Sequence, residues 1–434
     1  MKQKFELNEV WWLTNGTLID PYKNIETTGT LVIEDGILNE IKSVEDSINI
    51  PSDVQVIDCS GKILSPGFID IHAHFREPGR EDKETLETGA NAAMAGGFTK
   101  VCVMPNTQPP IDSPESVRFI KEKAEKLPID IYPIGAITKG QKGKELAEIG
   151  EMVNAGAVAI SDDGYPVTNG LVMRYALEYG KMFNIPVINH AEDPDLRQNG
   201  AMNESFLSTQ LGMVGNPDIA ESVMVYRDLS LAEYTKSKIH IPHVSTAKSV
   251  ELIKQFKAKG VQVTAEVTPH HIGLTENKIM GFDTNAKVAP PLRVNQDRES
   301  LINALQTGII DCIATDHAPH TSEEKENDFY NCPPGMIGLE SAFAMSHTVM
   351  KKAGSSTEDV IKWLTSGPAK IMGWELSAFD LGQPINIAII NPNTNWIFRL
   401  EDIHSRSKNS PMLGMEFIGK VEKTIVGKFG LGDL

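Results

Sequence analysis

The sequence predicts an α/β protein, a (β/α)8 barrel carrying a small β-sandwich domain composed from both chain ends. Between residues 67 and 373, eight short apolar, β-branched runs alternate with longer segments of helical period. Continuous apolar strands alternating with helices indicate a parallel sheet buried on both faces, and eight such units suffice to close a barrel. The two chain ends share another character, short alternating strands broken by turns, and are expected to assemble with each other.

In chain order, segments 17–21, 29–36 and 55–58 alternate apolar with polar residues, and Asp35-Gly36 is a hairpin signal. The barrel runs fall at 68–71, 100–104, 129–137, 157–160, 185–188, 238–241, 261–267 and 311–314. Helical patterns at 84–95, 113–126, 170–183, 219–235, 247–259 and 297–305 lie between them. Strand-like segments return at 385–390, 419–425 and 426–429. The expected division is residues 1–64 with 376–434 for the β domain and 65–375 for the barrel. A doubly wound open sheet is the alternative, but it usually has fewer strands and a Gly-rich phosphate loop not found here.

Composition bounds the function classes. A chain of 434 residues with 41% hydrophobic and 23% charged residues suits a soluble globular protein with a sizeable core. Its formal charge of −17 repels nucleic acid and anionic membrane, so any attraction for an anionic substrate must be local. No stretch approaches the length of apolar sequence that a membrane span needs. The four cysteines are scattered without a CxxC pair, which suits a reduced, cytoplasmic protein.

The chemistry collects where strands end. Five of the eight runs finish in His or Asp: His72 and His74, Asp162 and Asp163, His190, His243, and the stretch from Asp316 to His320. In a barrel these C-terminal ends converge on one face, which carries the active site. His72 and His74 are two apart on a strand and so point to one side, within reach of one ion. Four histidines with one or two aspartates and no cysteine suit Zn²⁺ or another borderline first-row metal. Six ligands exceed one tetrahedral site, so two metals sharing a carboxylate are expected. Alone, His190 reads as a hydrogen-bonded core residue and Asp316 as a helix cap. Together the pattern is stronger, because His72, His74, His190, His243, His317 and His320, six of eleven histidines, fall at or just past strand ends.

At these residues the chain resembles the class I dihydroorotases of the amidohydrolase superfamily. The resemblance rests on Gly67-Phe68-Ile69-Asp70-Ile71-His72-Ala73-His74-Phe75-Arg76-Glu77-Pro78-Gly79, Met104-Pro105-Asn106-Thr107 and Ser161-Asp162-Asp163-Gly164. It continues through His243-Val244-Ser245-Thr246, Glu266-Val267-Thr268-Pro269-His270-His271 and Ala314-Thr315-Asp316-His317-Ala318-Pro319-His320, and runs from about residue 15 to 430. It implies two Zn²⁺ per chain, the first held by His72 and His74 and the second by His190 and His243, with Asp163 bridging. Segment 159–164 contains no lysine, which matches the aspartate-bridged class, and Asp163 rather than Asp162 occupies the matching position. Asp316 is implied as a ligand of the first zinc and as the catalytic acid/base. His74, Arg76, Asn106, His320, Pro334 and Gly335 are implied as substrate contacts, the last two through backbone groups of a loop. Arg293 and His271 are read as supporting structure, and His240, His347 and His404 as ordinary.

The implied reaction is the reversible cyclisation of N-carbamoyl-L-aspartate to L-dihydroorotate in pyrimidine synthesis. The resemblance also allows a homo-oligomer or an aspartate carbamoyltransferase partner. One position departs from the family: the segment Lys287-Val288-Ala289-Pro290-Pro291-Leu292-Arg293 has Ala289 where relatives usually carry Asn. Losing that hydrogen bond costs about 1–3 kcal/mol unless water or a neighbour replaces it, so a raised KM is expected. The alternatives are an allantoinase- or hydantoinase-type cyclic amidase, set apart by the Asp163 bridge and Arg76, and a metal-free scaffold for aspartate carbamoyltransferase, which predicts lost ligands.

Overall fold

The structure is a computed structural model that describes residues 2–7, 9–43, 50–52 and 54–432, so the outermost ends of the expected β domain lie outside the described residues. Eight parallel strands form the barrel: Phe68–Ala73, Phe98–Val103, Asp130–Pro133, Ile160–Ser161, Val187–Ile188, Ile239–Ile241, Val263–Val267 and Cys312–Ile313. The first three pair with one another, as do the last five. Single parallel bridges, Gly135 to Ile160 and Ala73 to His317, join the two groups and close the ring.

Alternation along each strand builds two apolar layers. Ile69, Ile71, Cys102, Met104, Ile134, Ala159, Ile188, Cys312 and Ala314 fill the interior. Phe68, Val101, Val103, Ile131, Ile239 and Val263 pack outward in a cluster that includes buried helix residues such as Ala90, Val117, Leu177 and Ile253. Helix starts follow the cap chemistry of the sequence. Thr85 and Ser113 each accept from a first-turn N–H, and Asn169 accepts from Leu171 and Val172.

The chain ends build one nine-stranded sheet. It runs from Gln3–Glu6 through Phe429–Gly432, Glu416–Val426, Asn386–Ile397, Ile63–Pro66, Val10–Asp20 and Ile25–Glu34 to Ile37–Ser43, with Gln55–Asp58 also paired to Val10–Asp20. Leu13, Leu18, Leu31, Ile33, Leu38, Leu64, Ile387 and Ile389 form its separate core. Asp35 and Gly36 turn the predicted hairpin with φ of +51° and +78°, as a primed turn requires. A Cβ on Gly36 would lie 2.4 Å from the Gly427 carbonyl carbon, so only glycine fits.

Helix Ala342–Lys352 is not among the expected helices. Ala342 through Thr348 are all buried, and a helix buried all round shows no apolar stripe. Among the described residues, no helix is long and apolar enough to cross a membrane.

Candidate metal centre

Each candidate ligand reaches the centre from the end of a barrel strand or the turn that follows it. His72 lies in strand Phe68–Ala73, with His74 just beyond. Asp163 follows Ile160–Ser161, His190 follows Val187–Ile188, His243 follows Ile239–Ile241, and Asp316 follows Cys312–Ile313. All six are buried. Three residues of this rim take left-handed backbone, Arg76 at φ +54°, His243 at +34° and Asp316 at +48°. Non-glycine residues hold such angles at a cost, and they cluster where geometry serves a site.

The Asp163 carboxylate divides between two histidine pairs. Its Oδ2 is 3.5 Å from His72 Nε2 and 3.4 Å from His74 Nε2. Its Oδ1 is 3.6 Å from His190 Nδ1 and 3.5 Å from His243 Nε2. Two sets of ligand atoms result, His72 with His74 and Asp163, and Asp163 with His190 and His243, each lying within 4.8 Å of one another. Asp316 Oδ1 joins the first side, 3.0 Å from His74 Nε2 and 3.6 Å from His72 Nε2.

The outer nitrogens of three rings are tied down. His72 Nδ1 donates to Glu266 Oε1 at 2.5 Å, His74 Nδ1 to Asn106 Oδ1 at 2.8 Å, and His190 Nε2 to Glu192 Oε2 at 3.3 Å. With those hydrogens committed outward, each ring turns a lone pair inward toward Asp163, Asp316 or another imidazole. His72 Nε2 and Asp163 Oδ1 are buried without any hydrogen-bond partner. Acceptors facing acceptors in a buried cluster require a cation, either protons or metal ions.

The acid–base balance agrees. Burial opposes charge on His72, but Glu266 and Asp163 outweigh it and hold its pKa well above the ordinary value. Burial likewise opposes charge on His190, yet Asp163 and Glu192 raise it to about 9. Burial disfavours the Asp163 carboxylate, but His72, His190 and His243 carry its pKa well below the usual range. Asp163, Asp316, Glu192 and Glu266 together bring four negative charges, which two divalent cations would balance. Nitrogen and oxygen donors without thiolate suit zinc or a similar metal, and the four buried cysteines lie elsewhere. The residues therefore fit two metal ions.

The remaining expected residues separate into those at the centre and those with other work. Asp162 accepts from the N–H groups of Ile137 and Thr138 at 2.8 and 3.0 Å and from the Thr138 hydroxyl. It locks neighbouring strand ends together. His317 pairs with Glu84 at 3.2 Å and accepts from Gly338 N–H, also away from the cluster. His271 joins Thr268 to the Pro290 carbonyl. Arg293 bonds Ser245, Asn203 and the Asn216 carbonyl beneath the His243 turn. His240 bonds Glu266 at 3.0 Å and so holds the carboxylate that orients His72.

A cavity of about 320 Å³ opens over the cluster, and His74, Arg76, Asn106, Asp163, His190, Asp316, His320, Pro334 and Gly335 all line it. Arg76 Nε donates to the Pro319 carbonyl at 3.3 Å, leaving the fork end of the guanidinium for a ligand. Burial lowers its pKa to about 10, so it stays charged at neutral pH. His320 donates from Nε2 to the Pro334 carbonyl at 2.9 Å and accepts from Lys83 at Nδ1. Gly335 N–H donates to the Lys287 carbonyl at 2.8 Å, and its carbonyl accepts from Lys325 and Asn409. These loop groups are thus engaged with the protein itself.

Three residues at the site were missed from sequence: Glu192, Glu266 and Arg197. Glu266 could have been found, since a glutamate inside an apolar barrel strand must have a buried partner. Glu192 and Arg197 lie beyond a strand end in ordinary polar sequence, and only the fold brings Glu192 to His190 and Arg197 to the cavity.

Comparison with known proteins follows the same lines. A family profile described as Dihydro-orotase-like matches residues 61–249. A dihydroorotase of Caldicellulosiruptor saccharolyticus is 46% identical over 406 residues, covering 93% of this chain and 94% of its own. One from Geotalea daltonii is 44% identical over 417 residues, covering 96% and 97%. Among solved structures, an L-hydantoinase from Arthrobacter aurescens superposes with a TM-score of 0.82 at 23% identity, over 96% of this chain and 94% of its own. A dihydropyrimidinase from Brevibacillus agri gives 0.80 at 22%, over 99% and 94%. The solved structures establish the shared barrel fold, and the identity to the sequence relatives, sustained over nearly the whole of both chains, shows that this chain belongs to the dihydroorotase family.

Proposed function

We propose that this chain interconverts N-carbamoyl-L-aspartate and L-dihydroorotate in pyrimidine synthesis, in the cytoplasm, with two zinc ions per chain. The observation that carries the reading is the division of the Asp163 carboxylate between His72 with His74 and His190 with His243. On this reading His72, His74 and Asp316 would hold one ion and His190 and His243 the other, with Asp163 available to both. Bound zinc would supply Lewis acidity and lower the pKa of water toward neutrality.

The chain's own groups account for the rest. Asp316 takes a proton from the attacking water at its carboxylate and delivers it to the ring nitrogen that leaves; the reverse sequence closes the ring. Its ionised form is the resting one: burial opposes the charge, but His74 and His72 hold its pKa below the ordinary carboxylate value. Arg76 receives the substrate carboxylate on its planar fork, a geometry that Lys lacks. Asn106 fixes the His74 ring through Oδ1 and lines the cavity beside it. The metal-free scaffold reading lacks support, since all six candidate ligands are present.

The test is steady-state turnover of L-dihydroorotate and N-carbamoyl-L-aspartate beside allantoin and hydantoin. The proposal expects interconversion of the first pair. Turnover of allantoin or hydantoin without dihydroorotate would overturn it.

A further inference from the structure

Ala289 leaves the cavity wall without the side-chain hydrogen bond that an asparagine would offer there. The same cavity is lined by a cation that the sequence reading had given no role, Arg197. It ends the short helix Pro194–Arg197, which is fixed by the Asp193 side chain on Asp195 and Leu196 N–H and by Arg197 N–H on the Asp193 carbonyl at 2.9 Å. Its guanidinium therefore projects from an anchored turn.

One guanidinium nitrogen, Nη1, lies 3.3 Å from Glu192 Oε2, the same oxygen that receives His190 Nε2. This places the cationic head beside the metal ligands, at the mouth of the cavity. The side chain is 34% exposed, and Glu192 is its one ion-pair partner among the described residues. Five N–H donors meeting one carboxylate oxygen leave most of the fork able to reach a ligand. Glu192 is itself buried and shared with Asn216, so it directs the head without using up the charge.

We infer that Arg197 is a specificity residue, a second guanidinium contact for the substrate carboxylate beside Arg76, standing in for the contact that Ala289 lacks. The inference rests on the dihydroorotase reading given above. It explains how a strongly acidic protein retains an anionic substrate at a position where the neutral hydrogen-bonding side chain is absent. Two guanidiniums at one cavity favour a ring bearing a carboxylate over the neutral rings of hydantoin or allantoin.

The experiment compares zinc-loaded wild type with Arg197→Gln, Arg197→Lys and the double variant Arg197→Gln/Ala289→Asn, measuring kcat, KM for L-dihydroorotate and zinc per chain. Arg197→Gln is expected to raise KM about tenfold, the loss of one charge-assisted contact at a part-exposed site, with kcat within about threefold and zinc unchanged. Arg197→Lys should recover part of the loss, and Ala289→Asn should return the KM of the double variant toward wild type. An unchanged KM in Arg197→Gln would overturn the inference. So would a joint fall of kcat and zinc without rescue, since Arg197 would then act only by holding Glu192 against His190. If wild type opens neutral rings but not dihydroorotate, the underlying reading fails and takes the inference with it. A working wild type with an indifferent Arg197→Gln defeats the inference alone.

Discussion

Glu266 Oε1 sits 2.5 Å from His72 Nδ1, while the other nitrogen of that ring is buried without a hydrogen-bond partner. A carboxylate behind an imidazole fixes its tautomer and increases its basicity toward a metal. Glu266→Gln keeps the size but removes the charge. Zinc affinity is expected to fall about 10–100-fold, read by competition with a chromophoric chelator, while circular dichroism stays native. Unchanged affinity would show that His72 is oriented by packing alone.

Asp316 combines a left-handed backbone with a place beside both His72 and His74. Asp316→Ala is expected to lower kcat by about 10²–10⁴-fold, the range for losing a general acid/base. The fold and the zinc held by His190 and His243 should remain. A rate equal to wild type would remove Asp316 from the proton transfer.

Arg76 uses Nε on the Pro319 carbonyl, and in the proposed function its fork receives the substrate carboxylate. Arg76→Lys preserves charge but not the planar pair of donors, so KM for dihydroorotate should rise about tenfold with little change in kcat. Equal KM values would mean that the carboxylate is met by charge alone.

His320 titrates far from its ordinary range. Burial is the main cause, with Arg76 and Lys83 adding to it against the opposing Glu324, and its pKa falls to about 3. Between that value and the ordinary 6.5 the unfolded chain binds a proton that the folded protein refuses. This contribution to stability is therefore present above about 6.5 and is lost as pH falls toward about 3. Selectively ¹⁵N-labelled histidine spectra at about pH 5 should show His320 neutral and protonated at Nε2. A charged imidazolium there would contradict the lowered pKa and the acceptance of a hydrogen bond from Lys83 at Nδ1.

The barrel, and the gathering of His72, His74, Asp163, His190 and His243 at its strand ends, were legible because both depend on local pattern. Strand ends are marked by where apolar runs stop, and His72-x-His74 faces one way on any strand. Supporting groups were harder to read. Glu192 and Arg197 acquire meaning only through one shared oxygen beside His190, a contact made by a turn whose path the sequence does not encode in any period. His320, Pro334 and Gly335 were identified as a group from sequence, yet their bonds to one another and to Lys83, Lys287 and Lys325 are tertiary. Helix Ala342–Lys352 differs again, its first two turns being buried on every side.

The central claim is a two-metal centre organised by Asp163. Zinc titration of chelator-stripped protein, with dihydroorotate turnover followed at each addition, tests it most directly. The account predicts negligible turnover without metal and a rise that levels off at two zinc ions per chain. Full activity in the stripped protein, or saturation at a single ion, would contradict it.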